Sequence, residues 1–324
     1  MFSIVMPLWN KREMVTAALE GALAQSFGDF ELVVVDDGST DGSRDAVEAL
    51  KDKRIRVIVQ ANGGPGAARN AGMLAAHHDW ISFLDADDLW LPDHLAELDR
   101  LRGRFPAAGL IGTSYITCGS DGRFRLPPQS PGRLEAINYF ERVASGRRVL
   151  WTSSAAIPRS NLATVGNFGT GVVGEDTLYW LRIALALPVA VSTRVTVAYR
   201  LNTGGVSDRT AERWRGRDLR EPSDISPRLA LLLERYAEIE SAEVRRGVDR
   251  FIDHDFRWCL RSSARSGDLD TVRALPGLLP RCPGLADRLL LRVGLMPAPL
   301  ARLLYAIGFR IYPPLRRLGE RLKG

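Results

Sequence analysis

Cysteine is nearly absent from this chain. Cys118, Cys259 and Cys282 are three in 324 residues, far apart and without metal-ligand spacing. They offer no disulfide framework and no thiolate metal site, and they fit a chain kept reduced in a cytosolic compartment. Histidine is almost as scarce: His77, His78, His94 and His254 follow no metal pattern and read as surface or helix positions. Long apolar runs are missing, since none reaches the ~18 residues that a membrane span requires. The opening Phe2-Ser-Ile-Val-Met6 has no basic lead and no extended apolar core, so it reads as a strand and not as a signal peptide. The glycines at 62–66 lack a Gly-Lys-Ser/Thr ending, and the first turn lacks Gly-x-Gly-x-x-Gly. Walker-type phosphate binding and dinucleotide dehydrogenation both lose their support. No internal repeat or long low-complexity segment is present.

What is there is an ordinary globular composition, long enough for one large domain or two. The formal net charge is +6 and the isoelectric point is near 9.5. That balance suits an anionic ligand or an anionic membrane surface. Nucleic acid is not expected, because the basic residues are scattered and no nucleic-acid-binding motif occurs.

Strand and helix patterns alternate through the first hundred residues. Phe2–Met6, Glu31–Val35, Arg56–Val59 and Trp80–Leu84 read as strands. Residues 11–25 place Val15, Ala18, Leu19 and Ala22 at helical spacing; a short Ala-rich helix runs to about Ala76; Pro92 opens another. This order predicts an α/β fold with a mainly parallel central sheet and helices on both faces. Further on, Asp121-Gly122 reads as a turn between short strands, Pro127, Pro128 and Pro131 as a loop, and Val149–Ile157 as a strand. Val195–Tyr199 is a late strand. After about Ser226 the pattern is helical, with Val244, Val248, Phe251, Ile252 and Trp258 on one stripe.

Carboxylates sit where the strands end, and in such sheets ligands bind beyond the carboxyl ends of strands. Trp80-Ile-Ser-Phe-Leu84 stops at Asp85, Asp87 and Asp88. A buried strand can end so only where the acids face a cleft, water or a cation. Hard oxygen ligands suit Mg²⁺ or Mn²⁺. The alternative is a solvated turn. Asp37 follows a second apolar run and reads either as a cap or turn residue or as an acceptor for a base or ribose. Asn62-Gly-Gly-Pro-Gly66 with Arg69 reads either as an ordinary loop or as a phosphate contact. Asp176 opens a helix after a glycine-rich loop; it is a favourable helix-terminal acid or a general base.

Taken in order, the chain carries Val5-Met-Pro-Leu-Trp-Asn10, Gln25-Ser-Phe, Phe30-Glu-Leu-Val-Val-Val-Asp-Asp-Gly-Ser-Thr-Asp41, Asn62-Gly-Gly-Pro-Gly-Ala-Ala-Arg-Asn-Ala-Gly72, Phe83-Leu-Asp-Ala-Asp-Asp88 and Gly174-Glu-Asp176. This ordered set resembles the family 2 glycosyltransferases, inverting enzymes of the GT-A fold. The resemblance covers about residues 1–205, leaving 206–324 as a helical C-terminal region.

The resemblance implies transfer of a sugar from a nucleotide-diphosphate donor, with UDP favoured, to a hydroxyl of a saccharide or lipid-linked acceptor. The expected setting is cell-surface polysaccharide or glycoconjugate synthesis. It implies that Pro7 and Trp9, Asp37, Asn62, Arg69, Asp85 and Ala86 meet the nucleotide sugar, with Trp9 stacked on the base. It makes Asp87 the direct ligand of Mg²⁺ or Mn²⁺, Asp176 the base and Glu175 an acceptor-side or orienting group. Asp88 is expected only to cap the following segment. One departure stands out: Asn202 follows Tyr199-Arg-Leu where many members have histidine, which puts that residue's role in doubt.

Two further classes remain. A non-catalytic nucleotide-sugar-binding protein on the same fold is disfavoured by retention of both Asp87 and Asp176. A sugar-phosphate nucleotidyltransferase needs a glycine-rich basic loop after the first strand, which Pro7-Leu-Trp-Asn10 does not supply. From Arg281 to Lys323 the chain is basic and amphipathic, with Asp287 and Glu320 as its acids. That segment reads as a helical subdomain packed on the core, as a helix lying on an anionic membrane surface, or as both. The second reading places the protein at the cytoplasmic face of a membrane as a peripheral protein.

Overall fold

The structure, a computed structural model, describes residues 1–126, 131–146, 149–171, 174–201, 203, 226–266, 268–278, 296 and 301. Pro127, Pro128, Asn202 and the 281–323 tail apart from Met296 and Ala301 lie outside the described residues. The chain divides into two compact units, Met1–Thr210 and Ala211–Gly324.

The first unit opens with strict alternation: β1 (Phe2–Leu8), α1 (Arg12–Leu23), β2 (Phe30–Asp36), α2 (Ser43–Glu48), β3 (Ile55–Val59), α3 (Pro65–Ala75) and β4 (Trp80–Phe83). It continues through β5 (Leu89–Trp90), α4 (His94–Arg104), β6 (Leu110–Cys118), β7 (Leu134–Ile137) and α5 (Tyr139–Ala144). A 3₁₀ turn (Thr152–Ser154), β8 (Ala155–Pro158), α6 (Asn161–Thr164), α7 (Glu175–Ala186) and β9 (Val189–Arg200) complete it. Among the described residues the strands form one sheet in the order β3-β2-β1-β4-β8-β6-β9-β5, with β7 also on β9. The first four strands pair in parallel. The half built from later residues is mixed: β8 runs antiparallel to β4 and β6, and β6 is parallel to β9.

Period-two alternation decides which face of β1 meets which helix. Phe2, Ile4, Met6 and Leu8 pack with Val15, Ala18, Leu19 and Ala22 of α1, all buried. Each such side chain contributes about 1.5–3 kcal/mol when a large aliphatic or aromatic group is fully buried. The opposite face takes α3. Helix and strand approach closely there: a Cβ at Gly72 would lie 2.4 Å from Val5 Cγ1. Pro7 sits in a central strand without breaking it. Val5 O accepts from Leu84 N, so the odd residues of β1 face β4. The last β1–β4 pair is Val5 with Phe83, so the N–H that Pro7 lacks falls beyond the ladder.

Some expectations are corrected. The helix after Pro92 begins at His94. Gly122 N does bond Gly119 O at 3.0 Å, but the next strand, β7, pairs with β9 and makes no hairpin with β6. Strand 149–157 is replaced by the 3₁₀ turn and a shorter β8. The hydroxyl of Ser154 accepts from Trp151 N at 2.8 Å, offering the backbone an alternative to the sheet.

The second unit contains α8 (Pro227–Arg235), a 3₁₀ turn (Tyr236–Glu238), α9 (Ala242–Ser266) and α10 (Leu269–Leu278). Ser226 caps α8, accepting from Leu229 N, and its hydroxyl donates to Asp255 Oδ2 at 2.8 Å. Val248, Phe251, Ile252, Phe256, Cys259 and Leu260 line the buried face of α9. Trp258 is not on it; the ring is exposed, with the Arg228 guanidinium 5.8 Å from its centre. Among the described residues no helix is long and apolar enough to cross a membrane.

Candidate active site

Register brings the strand ends together. Leu8 pairs with Asp36, and Asp37 N donates to Leu8 O at 2.8 Å. Because β8 is antiparallel to β4, the residues that lead into β8 arrive where β4 ends. Thr152 and Ser153 therefore stand beside Asp85–Asp88.

The three acids after β4 have three different partners. Asp85 Oδ1 accepts from Arg69 NH2 at 2.7 Å. Asp87 Oδ2 meets Lys11 Nζ at 2.8 Å and the Thr203 hydroxyl at 2.7 Å. Asp88 is fully buried and accepts from Trp151 Nε1, the Ser153 hydroxyl and Arg200 N. Burial, with Asp85 and Asp87 nearby, pushes the Asp88 carboxyl well above the usual range. Its expected capping role is corrected: Asp88 ties β4, the 3₁₀ turn and the end of β9 together.

Arg69 is the central cation. It lies on α3, buried, and its NH1 donates to Glu175 Oε1 at 2.7 Å while NH2 holds Asp85. The guanidinium also sits 5.6 Å from the Phe168 ring centre. Burial opposes its charge, but Asp85, Glu175 and Asp176 together shift its pKa upward. Burial likewise pushes the carboxyls of Asp85 and Glu175 up, against the pull of Arg69. Close approach makes this possible: a Cβ at Gly66 would lie 2.3 Å from Gly169 O, so only glycine lets α3 reach the 169 loop.

Asp176 follows Glu175 at the start of α7, where an acid is favoured by the helix dipole. Its Oδ2 accepts from the Thr152 hydroxyl at 2.7 Å and its Oδ1 from Thr177 N at 2.6 Å. Thr152 and Lys11 went unread in the sequence. Thr152 lies 24 residues from its partner with no spacing motif to mark it, and Lys11 is 76 residues from Asp87.

The nucleotide-side candidates gather at the ends of β1 and β2. Trp9 is 41% exposed. Asn10 Oδ1 accepts from Thr40 N, joining the two strand-end loops. Asp37 is buried, and its carboxylate accepts from Gln60 Nε2, Gly63 N and Gly64 N. Asn62 Nδ2 donates to Asp37 O at 3.0 Å. Both backbone amides of the glycine loop thus already bind a carboxylate. Ala86 is buried in the core cluster.

Among the described residues no three carboxylate, imidazole or thiol groups converge as a ready-made metal cage. Magnesium-type sites need only one or two protein carboxylates where substrate phosphates supply the rest. Asp87 fits that donor set: it stands at a strand end, and its Oδ1 accepts no hydrogen bond among the described residues.

Both the sheet and the clustered strand ends are those of a GT-A-like fold. Residues 3–158 match the model of glycosyl transferase family 2. The chain is similar to a glycosyltransferase, alr2836, of Nostoc sp., at 39% identity over 131 residues, covering 40% of each chain. It is 44% identical over 108 residues to the succinoglycan biosynthesis protein ExoO of Rhizobium meliloti, covering 33% of this chain and 30% of that one. These matches span well under half the length of those relatives. Among solved structures, S. aureus TarS 1-349 in complex with UDP-GlcNAc superposes with a TM-score of 0.68 at 19% identity, covering 95% of this chain and 91% of that one. The mannosyltransferase PcManGT from Pyrobaculum calidifontis, in complex with GDP-Man and Mn²⁺, gives 0.52 at 18% identity, covering 95% and 86%.

Proposed function

We propose that this protein is an inverting glycosyltransferase. It moves a sugar from a nucleotide-diphosphate donor, by preference a UDP-sugar, to a hydroxyl of a saccharide or lipid-linked acceptor. The observation that carries the reading is Arg69, whose guanidinium joins Asp85 of the Asp-x-Asp turn to Glu175, next to Asp176.

In this reading Asp176 takes the proton from the acceptor hydroxyl as the oxygen attacks the anomeric carbon from the face opposite the leaving group. One carbon–oxygen bond forms, one breaks, and the nucleoside diphosphate leaves. General-base help of this kind is worth about 10²–10⁴-fold. Thr152 and Thr177 hold the Asp176 carboxylate in one orientation. Trp9 offers a face for the base and Asp37 shapes its floor. Arg69, with both terminal nitrogens on carboxylates, positions the two motifs and leaves nucleotide contact to its neighbours. Asp87, with Asp85 beside it, would hold Mg²⁺ or Mn²⁺. Bound there, the cation would offset charge on the leaving diphosphate.

Support for the donor class comes from the family match and from the UDP-GlcNAc and GDP-Man complexes of the two similar folds. ExoO's role in succinoglycan biosynthesis supports polysaccharide synthesis as the setting. The basic 281–323 segment supports peripheral attachment to the cytoplasmic face of a membrane. A full-length protein that fails to sediment with anionic vesicles at low salt contradicts that attachment.

A thermal-shift panel of nucleotide sugars with Mn²⁺ tests the donor reading. The expected result is stabilisation by one nucleoside diphosphate class, weakened in Asp87→Ala. No stabilisation by any nucleotide contradicts it.

A further inference from the structure

Lys11 belongs to none of the motifs, yet its ammonium lies on the carboxylate named above as the metal ligand. Its backbone is pinned just before α1, where Lys11 N donates to the Ser43 hydroxyl at 2.8 Å. From there the side chain reaches across the cleft. Nζ stands 2.8 Å from Asp87 Oδ2 and 2.9 Å from Thr203 O. The Thr203 hydroxyl donates to the same Asp87 oxygen at 2.7 Å, closing a three-residue ring. The Lys11 and Asp87 side chains are only 15% and 16% exposed.

We propose that Lys11 is the resident counter-ion of Asp87, and that a divalent cation arriving with the nucleotide diphosphate takes its place. The inference rests on Asp87 being the metal ligand. A carboxylate this sheltered is costly to leave unpaired, so the free protein needs a cation there. An ammonium and a divalent ion cannot share one carboxylate edge without strong repulsion. Lysine suits an exchange: its charge is compact and its stem flexible, whereas an arginine fork would lock onto the carboxylate. Once displaced, the ammonium keeps Thr203 O as an acceptor, and diphosphate oxygens are the charged acceptors nearest in kind. Metal binding would then be tight only when the diphosphate draws Lys11 away. The site would resist loading with metal alone.

The experiment is a titration of the full-length protein with Mn²⁺ alone, with free Mn²⁺ read by electron paramagnetic resonance. Wild type, Lys11→Met, Lys11→Gln, Asp87→Asn and the Lys11→Met/Asp87→Asn pair are compared. Thermal unfolding confirms that each is folded. Removing the competing ammonium is expected to tighten Mn²⁺ binding about tenfold, the worth of one charge-assisted contact. Lys11→Gln should do the same, and the double variant should match Asp87→Asn. Added UDP should narrow the gap between wild type and Lys11→Met. Equal or weaker Mn²⁺ binding by both Lys11 variants overturns the proposal. If Asp87→Asn binds Mn²⁺ as wild type does, the metal reading itself fails. If Asp87→Asn loses the site while the Lys11 variants are silent, only the exchange fails.

Discussion

The Thr152 hydroxyl donates to Asp176 Oδ2 at 2.7 Å, a contact that ties the entry of β8 to the first turn of α7. With Thr177 N on the other oxygen, the carboxylate has little rotational freedom. In the proposed mechanism a base held this way would meet the acceptor hydroxyl without first losing side-chain entropy. Thr152→Val should therefore lower kcat while leaving the donor KM near its original value. A hydrogen bond to a charged group is worth about 1.5–3 kcal/mol, which corresponds to a loss of roughly ten- to a hundredfold. Thr152→Ser, which keeps the hydroxyl, should recover most of it. Steady-state kinetics on the two variants decides: equal kcat values would remove Thr152 from the account.

Arg69 answers buried Glu175 and half-buried Asp85 at once, so its loss should be felt in stability before any assay of activity. Arg69→Met leaves Asp85 and Glu175 without a counter-charge, and breaking such a buried pair costs about 3–5 kcal/mol. Arg69→Lys is not a conservative change, because one ammonium cannot bond both carboxylates through the planar fork that NH1 and NH2 provide. Denaturant unfolding should show a lower midpoint for both variants. A lysine variant as stable as wild type would show that the bridge carries no stability.

His94 provides a pH signature. It is fully buried on α4, with Nδ1 2.7 Å from the Thr196 hydroxyl, and burial pushes its pKa down from 6.5 to about 3. Between those values the unfolded chain binds a proton that the folded chain refuses. Stability from this group is thus complete above pH 6.5 and is lost as the pH falls toward 3. By pH 5.5 the loss is on the order of 1 kcal/mol. His94→Gln should flatten the dependence of unfolding free energy on pH between 7.5 and 5.5, a window chosen on the ordinary imidazole pKa of about 6.5. An unchanged slope would mean that His94 titrates alike in both states.

The first hundred residues were legible because each strand is a short apolar run that stops at turn residues or acids. Val33-Val-Val35 ending in Asp36 and Asp37, and Ile81 to Leu84 ending in Asp85, mark both the strands and the candidate site. The ordered motifs then named the carboxylates of the cleft. What could not be read was who answers them. Lys11, Thr152 and Thr203 are distant in sequence from Asp87 and Asp176, and their residue types are common on any surface. The Thr152–Ser154 turn hid inside an apparent strand because hydroxyl-to-backbone bonds leave no periodicity. Trp258 looked like core by spacing alone. It lies two positions past Phe256, on a helix whose buried stripe is already filled by Asp255, Phe256 and Cys259.

The central claim is that Asp176 removes the acceptor proton in a cleft that binds its donor independently of that step. Asp176→Asn keeps the shape and the Thr152 contact but cannot accept a proton. Sugar transfer by this variant should be measured beside nucleotide-sugar binding to the same preparation. The account predicts transfer reduced by about 10²–10⁴-fold or more with donor affinity retained. Transfer at the wild-type rate by Asp176→Asn would contradict it.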